Sequence, residues 1–159
     1  MRAVVVGGGL AGCEAAWALA EAGVQVTLCE QKPAHRSPAH RIDGLAELVC
    51  SNSLKAMRLG SAAGLLKAEM ERLGSLTVRC AYETQVPAGG ALAVDRGAFS
   101  RRVTQCIAAH PRIAIRHLRL DHIPEGPAVI ATGPLTDGGL ARAVGELFSA
   151  EYLSFYDAA

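Results

Sequence analysis

Residues Ala3 to Glu30 read AVVVGGGLAGCEAAWALAEAGVQVTLCE, and this stretch decides the fold. Val4-Val5-Val6 is a short β-branched run, as a strand buried on both faces requires. Gly7, Gly8 and Gly9 follow, and Gly12 completes G-x-G-x-x-G. A helical pattern begins at Leu10 and Ala11, and a second apolar strand, 24–30, ends on Glu30. Gly7 permits the tight turn, Gly9 lets a pyrophosphate approach the backbone, and Gly12 lets helix and strand pack closely. The helix N-terminus presents N–H groups and partial positive charge to phosphates. Glu30 lies 18 residues beyond Gly12, where an acid at a strand tip accepts hydrogen bonds from a ribose. A glycine turn used only for packing would leave that acid unexplained. The unit therefore reads as an adenine-dinucleotide site.

The chain has 159 residues, 50% of them hydrophobic, with a net charge of +1, which suits a globular domain with a sizeable core. A charge this small gives no general argument for nucleic acid or a membrane surface. No apolar run approaches a membrane span. The five cysteines, Cys13, Cys29, Cys50, Cys80 and Cys106, are odd in number and form no C-x-x-C pair, so they read as reduced thiols of a cytoplasmic protein. Leu10-Ala11-Gly12-Cys13 has the form of a lipoprotein cleavage box. The run before it is too glycine-rich for a signal core, and the residues after it continue the helix.

Farther along, residues 31–47 form an irregular loop carrying His35, Arg36, His40 and Arg41; loops of this length are usually functional or mobile. Ser51-Asn52-Ser53 predicts the N-cap of a short helix over 54–59. A helix over 61–73 is expected to turn Ala62, Leu65, Leu66, Met70 and Leu73 to one face. Residues 76–94 carry weak strand signals. Asp95 predicts the cap of a helix over 96–109, with Phe99, Val103, Cys106 and Ile107 facing inward. Strands are expected at 112–118 and, buried, at 128–131, and Asp137 is placed to cap a last helix over 138–149. Strands alternating with helices predict an α/β, Rossmann-like fold with a mainly parallel sheet. The final Tyr152 to Ala159 is apolar and aromatic, as in a chain that continues into a longer protein.

Three further features carry chemistry. Ala131-Thr132-Gly133 ends an apolar strand; in two-dinucleotide flavoproteins such a strand lies beside the first one, which turns the choice of dinucleotide towards FAD. Taken alone it is a plain strand-to-loop turn. Cys50 precedes the expected helix start, which would favour its thiolate, and His35 and His40 are placed for proton transfer. Leu48-Val49-Cys50 also reads as core, since cysteine is among the most buried residue types. A zinc site from His35, His40 and Cys50 lacks a fourth ligand. Arg96 to Arg119 holds six of the sixteen Lys/Arg residues and no acid, which reads either as a phosphate-binding patch or as a solvated face.

Several longer segments then identify a family: Gly7–Ala16 (GGGLAGCEAA), Pro38-Ala39-His40, Ala46–Leu54 (AELVCSNSL), Leu66–Met70 (LKAEM), Val86–Arg96 (VPAGGALAVDR), Pro124–Thr136 (PEGPAVIATGPLT) and Tyr152–Ala159 (YLSFYDAA). In order and content the chain resembles the bacterial folate- and FAD-dependent tRNA (uracil-5-)-methyltransferases, relatives of the glucose-inhibited-division family of tRNA-modifying flavoproteins. The resemblance implies that residues 1–159 are the FAD-binding N-terminal portion of a longer enzyme. It implies transfer of a one-carbon unit from 5,10-methylenetetrahydrofolate to C5 of a T-loop uridine in tRNA, with NADH or NADPH recharging the flavin. FAD would lie on Gly7 to Gly12, with Glu30 on its ribose and Thr132-Gly133 nearby. Cys50 would be one of two reactive cysteines, the second lying beyond Ala159. A non-catalytic flavin-binding module and an NAD(P)H-dependent flavin oxidoreductase remain the alternatives. Oligomeric state is not legible.

Overall fold

The structure, a computed structural model, describes residues 1–148. In chain order its elements are β1 (Arg2–Val6), α1 (Leu10–Glu21), β2 (Gln25–Glu30), β3 (Ser53–Ala56), α2 (Ala62–Arg72), α3 (Leu76–Glu83), β4 (Gln85–Val86), β5 (Ala91–Val94), α4 (Arg96–Ala109), β6 (Ile113–His117), β7 (Ala128–Ile130) and α5 (Gly138–Leu147). The stretch Tyr152–Ala159 lies outside the described residues.

The main sheet is wholly parallel, in the order β6-β2-β1-β7. Val6 stands opposite Cys29 on one side and Ile130 on the other. The carboxyl ends of β1, β2 and β7 therefore share one edge, where open α/β sheets bind ligands. Small residues let α1 lie close on this sheet: Gly12, Cys13, Ala16 and Ala20 are its buried positions. Ala15 and Leu19 are partly buried, whereas Ala11 is exposed.

Residues 31–95 interrupt the second β-α-β unit between β2 and its crossover helix α4. This excursion carries a small antiparallel sheet, β3-β5-β4, with α2 and α3. The two parts share one core cluster in which Val5 and Leu28 of the parallel sheet join Leu45, Leu76, Leu92 and Phe99.

Several expectations are corrected here. Residues 53–56 form a strand, not a helix over 54–59. Asn52 accepts from the Val94 amide through its carbonyl (2.9 Å) and donates to the Val94 carbonyl through its side chain (3.2 Å). Pairing with β5 thus overrides the capping signal. Residues 76–83 form a helix where strand signals were read, because β-branched Thr77 and Val78 mimic a strand pattern. Its start is doubly capped: Ser75 Oγ accepts from the Val78 amide at 3.2 Å. From α1, the Glu14 carboxylate accepts from the amides of Leu76 (3.1 Å) and Thr77 (3.0 Å).

On α2, Leu65 and Leu66 are exposed, as is Leu73 at its C-cap. The buried residues are Gly64 and Lys67. Lys67 Nζ donates to the carbonyls of Leu54 (2.6 Å) and Ala63 (2.8 Å), so a lysine rather than a leucine ties α2 to β3. The strand β7 is an edge strand with Val129 37% exposed, not a buried one. Asp95 caps α4 as expected, accepting from the Ala98 amide at 2.6 Å. Phe99, Val103 and Ile107 are buried, while Cys106 is only partly so. Asp137 makes no side-chain cap bond on α5; its carboxylate meets Arg119 at 2.8 Å.

The Glu14 contact predicts a measurable loss. Glu14→Ala removes the carboxylate from the start of α3 and lowers stability by about 1–2 kcal/mol in denaturant unfolding. Glu14→Gln keeps one acceptor oxygen and loses less.

Candidate dinucleotide site

A cavity of about 330 Å³ opens at the carboxyl edge of the parallel sheet. Gly7 through Ala11, Glu30, Cys50, Thr132 and Gly133 all line it. Gly12 does not, and the reason is steric: a Cβ there would stand 1.8 Å from the Gly7 carbonyl oxygen.

The glycines divide by task. Gly7 has φ +101°, and a Cβ on it would also lie 2.5 Å from the Ala131 carbonyl oxygen. The end of β7 thus presses on the turn, where the Ala131 amide donates to the Val6 carbonyl at 2.7 Å. A Cβ on Gly8 would strike Leu45 Cδ2 at 2.6 Å and Glu30 Oε2 at 2.7 Å. Gly9 is different. A Cβ there would meet nothing within 4 Å, although Gly9 lines the cavity. The protein's own packing does not need this glycine; a ligand lying against the backbone would.

Gly9 is also the N-cap of α1, with no side-chain cap and no acid in the first turn. The amides of that turn, and the positive end of the helix dipole, remain available to an anion.

Glu30 is only 6% exposed. Its Oε2 accepts from the Gly8 amide and its Oε1 from the Lys32 amide, both at 2.8 Å. A carboxylate has roughly four lone-pair directions, so two such bonds leave capacity for ribose hydroxyls. The turn, the uncapped helix start and this acid together fit an adenine dinucleotide.

Cys50 reaches the cavity from the excursion. It is exposed, which removes its reading as core; Leu48, two residues earlier, is the buried one. The strand β3, not the expected helix, follows it. His40 lines the same cavity and shares a 2.6 Å hydrogen bond with Ser37 Oγ, whereas His35 lines an adjoining pocket.

Sequence reasoning missed Lys32, Arg119 and Asp137, which also line the cavity. Lys32 carried no signal because it sits in a loop of mixed polarity. Acids outside the basic run partly neutralise it: Arg102 pairs with Glu83, and Arg119 with Asp121 and Asp137.

Three thiols, Cys13, Cys29 and Cys80, are buried. Burial, reinforced by the Glu30 charge, pushes Cys13 up to about 12. Burial and the Cys106 thiol push Cys80 up to about 12. Burial also raises Cys29, against the opposing charge of Arg116.

Two predictions follow from these contacts. Gly12→Ala forces the helix off the turn and costs about 1–3 kcal/mol or more, while Gly9→Ala costs less, about 0.5–1 kcal/mol from the poorer N-cap, in urea unfolding. Cys13 and Cys80 bind protons more tightly folded than unfolded, so their contribution is intact below pH 9.0 and is lost as pH rises towards 12. Unfolding free energies are expected to fall as pH rises from about 9 towards 12, and Cys13→Ala flattens that decline.

The family model for glucose inhibited division protein A matches residues 2–148. Among curated proteins the chain is 51% identical over 158 residues to a methylenetetrahydrofolate–tRNA-(uracil-5-)-methyltransferase TrmFO of Exiguobacterium sibiricum. That match covers 99% of this chain and 36% of the relative. It is 56% identical over 154 residues to the protein of the same name from Synechococcus sp., covering 97% of this chain and 34% of the relative. The chain thus spans about a third of the length of these relatives. Among solved structures it is similar to Aquifex aeolicus GidA, with a TM-score of 0.66 and 16% identity over 84% of this chain and 25% of that one, a likeness of fold. On the match across nearly all its length, the chain belongs to the glucose-inhibited division protein A family.

Proposed function

We propose that this chain is the FAD-binding portion of a folate-dependent tRNA (uracil-5-)-methyltransferase that forms 5-methyluridine at a T-loop uridine. The reading is supported by relatives of that name at 51–56% identity across nearly the whole chain. The observation that carries it is local: Cys50, brought in by the excursion, opens onto the same cavity as Gly7–Gly9, Glu30 and Thr132-Gly133. A dinucleotide site with a thiol at its wall is arranged for redox chemistry on a substrate that the thiol can touch.

In this reading the α1 start and the Gly7–Gly9 turn hold the pyrophosphate, and Glu30 holds a ribose. When bound and reduced by NADH or NADPH, FAD would supply the two electrons needed to take the methylene of 5,10-methylenetetrahydrofolate to a methyl. Cys50 assists removal of the uracil C5 proton or engages the enzyme adduct, and a second cysteine outside this chain attacks C6. The tRNA binds mainly through surface outside this chain, and the enzyme works in the cytoplasm. Cys50 is the residue of this chain we assign a catalytic role. Gly7, Gly8, Gly9, Leu10, Ala11, Gly12, Glu30, Thr132 and Gly133 form the cofactor site.

The protein expressed from its complete reading frame is expected to be yellow. It should methylate unmodified tRNA with methylenetetrahydrofolate and a reduced pyridine nucleotide. Cys50→Ala lowers methyl transfer by about 10² or more but leaves flavin reduction by NAD(P)H intact. Gly9→Ala weakens flavin binding by about tenfold or more in a fluorescence titration. Absence of flavin absorbance, or methylation driven by S-adenosylmethionine, refutes the assignment. Retention of methyl transfer in Cys50→Ala removes Cys50 from the reaction, whereas flavin reduction by NAD(P)H without any methyl transfer by the parent favours a plain flavin oxidoreductase.

A further inference from the structure

We propose that Lys32 and Glu47 are positioning residues for Cys50, an assignment that rests on reading Cys50 as the reactive thiol. Lys32 is 3% exposed and lines the cavity. Its Nζ donates to the carbonyls of Gly44 (2.7 Å) and Ile42 (3.2 Å) and pairs with Glu47 Oε2 at 3.4 Å. The Glu47 side chain is 7% exposed. Its other oxygen accepts from the amides of Arg41 (2.7 Å) and Ile42 (3.3 Å). Two buried opposite charges thus close residues 41–47 into a ring that ends three residues before Cys50.

The ring is fastened to the cofactor turn at two points. The Lys32 amide is held by Glu30, which also holds the Gly8 amide. The Ala46 amide donates to the Gly8 carbonyl at 2.8 Å. Ala46 is completely buried and sits at φ +51°, a left-handed conformation that costs a non-glycine residue about 1–2 kcal/mol. Its neighbour Leu45 is clamped to α4, donating to Thr104 Oγ1 (2.9 Å) and accepting from Ser100 Oγ (2.6 Å). Strain this well held marks a segment whose path is over-determined by its surroundings.

A buried ion pair is a poor way to gain stability, because desolvating both charges offsets their attraction, and an apolar pair of similar volume is often as stable. What the pair provides is direction. Each charge accepts only partners placed around it, and those partners here are the backbone groups leading to Cys50. Leu48 is buried and Cys50 is exposed at the cavity, so the path of this segment decides which side chain faces the cavity.

The test uses the protein from its complete reading frame. Iodoacetamide labelling of Cys50 is followed by peptide mass spectrometry in Lys32→Met, Glu47→Gln and Lys32→Met/Glu47→Gln. Cys13, fully buried on α1, serves as the internal control for folding. The double variant is neutral and avoids the lone buried charge that either single change leaves. Labelling of Cys50 is expected to change by about threefold or more in all three, with Cys13 still protected. Methyl-transfer kcat is expected to fall by about tenfold with KM for tRNA little changed, as a misplaced group requires. The proposal is overturned if Cys50 labelling and kcat in the double variant stay within about twofold of the parent. It is equally overturned if Cys13 labelling rises in step with Cys50 in the double variant, because the pair then holds the fold and not the thiol. A parent enzyme without methyl transfer would sink the functional reading instead, and the labelling arm would still decide whether the pair places Cys50.

Discussion

The structure depends on one buried carboxylate. Glu30 ends β2 and binds the Gly8 amide with one oxygen and the Lys32 amide with the other. Charge-assisted bonds of this kind are about twice as strong as neutral ones, and a carboxylate left without them in this environment would be costly. The glycine turn is consequently held from the side of the second strand as well as by its own backbone. The same acid that the dinucleotide fingerprint assigns to a ribose thus also holds the glycine turn in place.

Close approach is the second constraint. Gly12 rests on Gly7, Gly7 on Ala131, and Gly8 on Leu45 and Glu30, with no room for a Cβ at any of these contacts. Helix α1, strand β7 and the excursion each touch the turn through a position where only hydrogen fits. Gly9 alone among these glycines is spared by the protein, and it faces the cavity. This division explains why a run of three glycines follows β1 when the dinucleotide fingerprint requires only the first and third.

What was legible depended on how local the cause was. The β1–α1–β2 unit and the cap of α4 by Asp95 follow from patterns within a few residues, and the structure has them. The helix α3 was not legible, since half of its start is held by Glu14, 62 residues away from Leu76. Nor was β3, because its partner β5 lies across the chain and outweighs the capping habit of Ser51-Asn52-Ser53. Leu65 and Leu66 carried a helical periodicity, but α2 is tied to β3 through Lys67, with Gly64 packed on Met57 and Arg58 just beyond that strand. Periodicity finds a helix; it does not say which face the neighbours will take.

The sequence by itself determined the parallel α/β unit, the dinucleotide turn with its acid, and the kinship carried by segments such as AELVCSNSL. Each of these is written in short-range spacing: a buried strand, glycines at fixed intervals, an acid at a strand end. Only the tertiary structure decided that Cys50 is exposed at the cavity and not packed in the core, and that Lys32 and Glu47 form a buried pair on the segment leading to it. Those facts depend on where residues 31–95 fold back over the sheet edge. That path is set by contacts between residues distant in the chain, such as Ala46 with Gly8 and Leu45 with Ser100 and Thr104, and no local pattern encodes them.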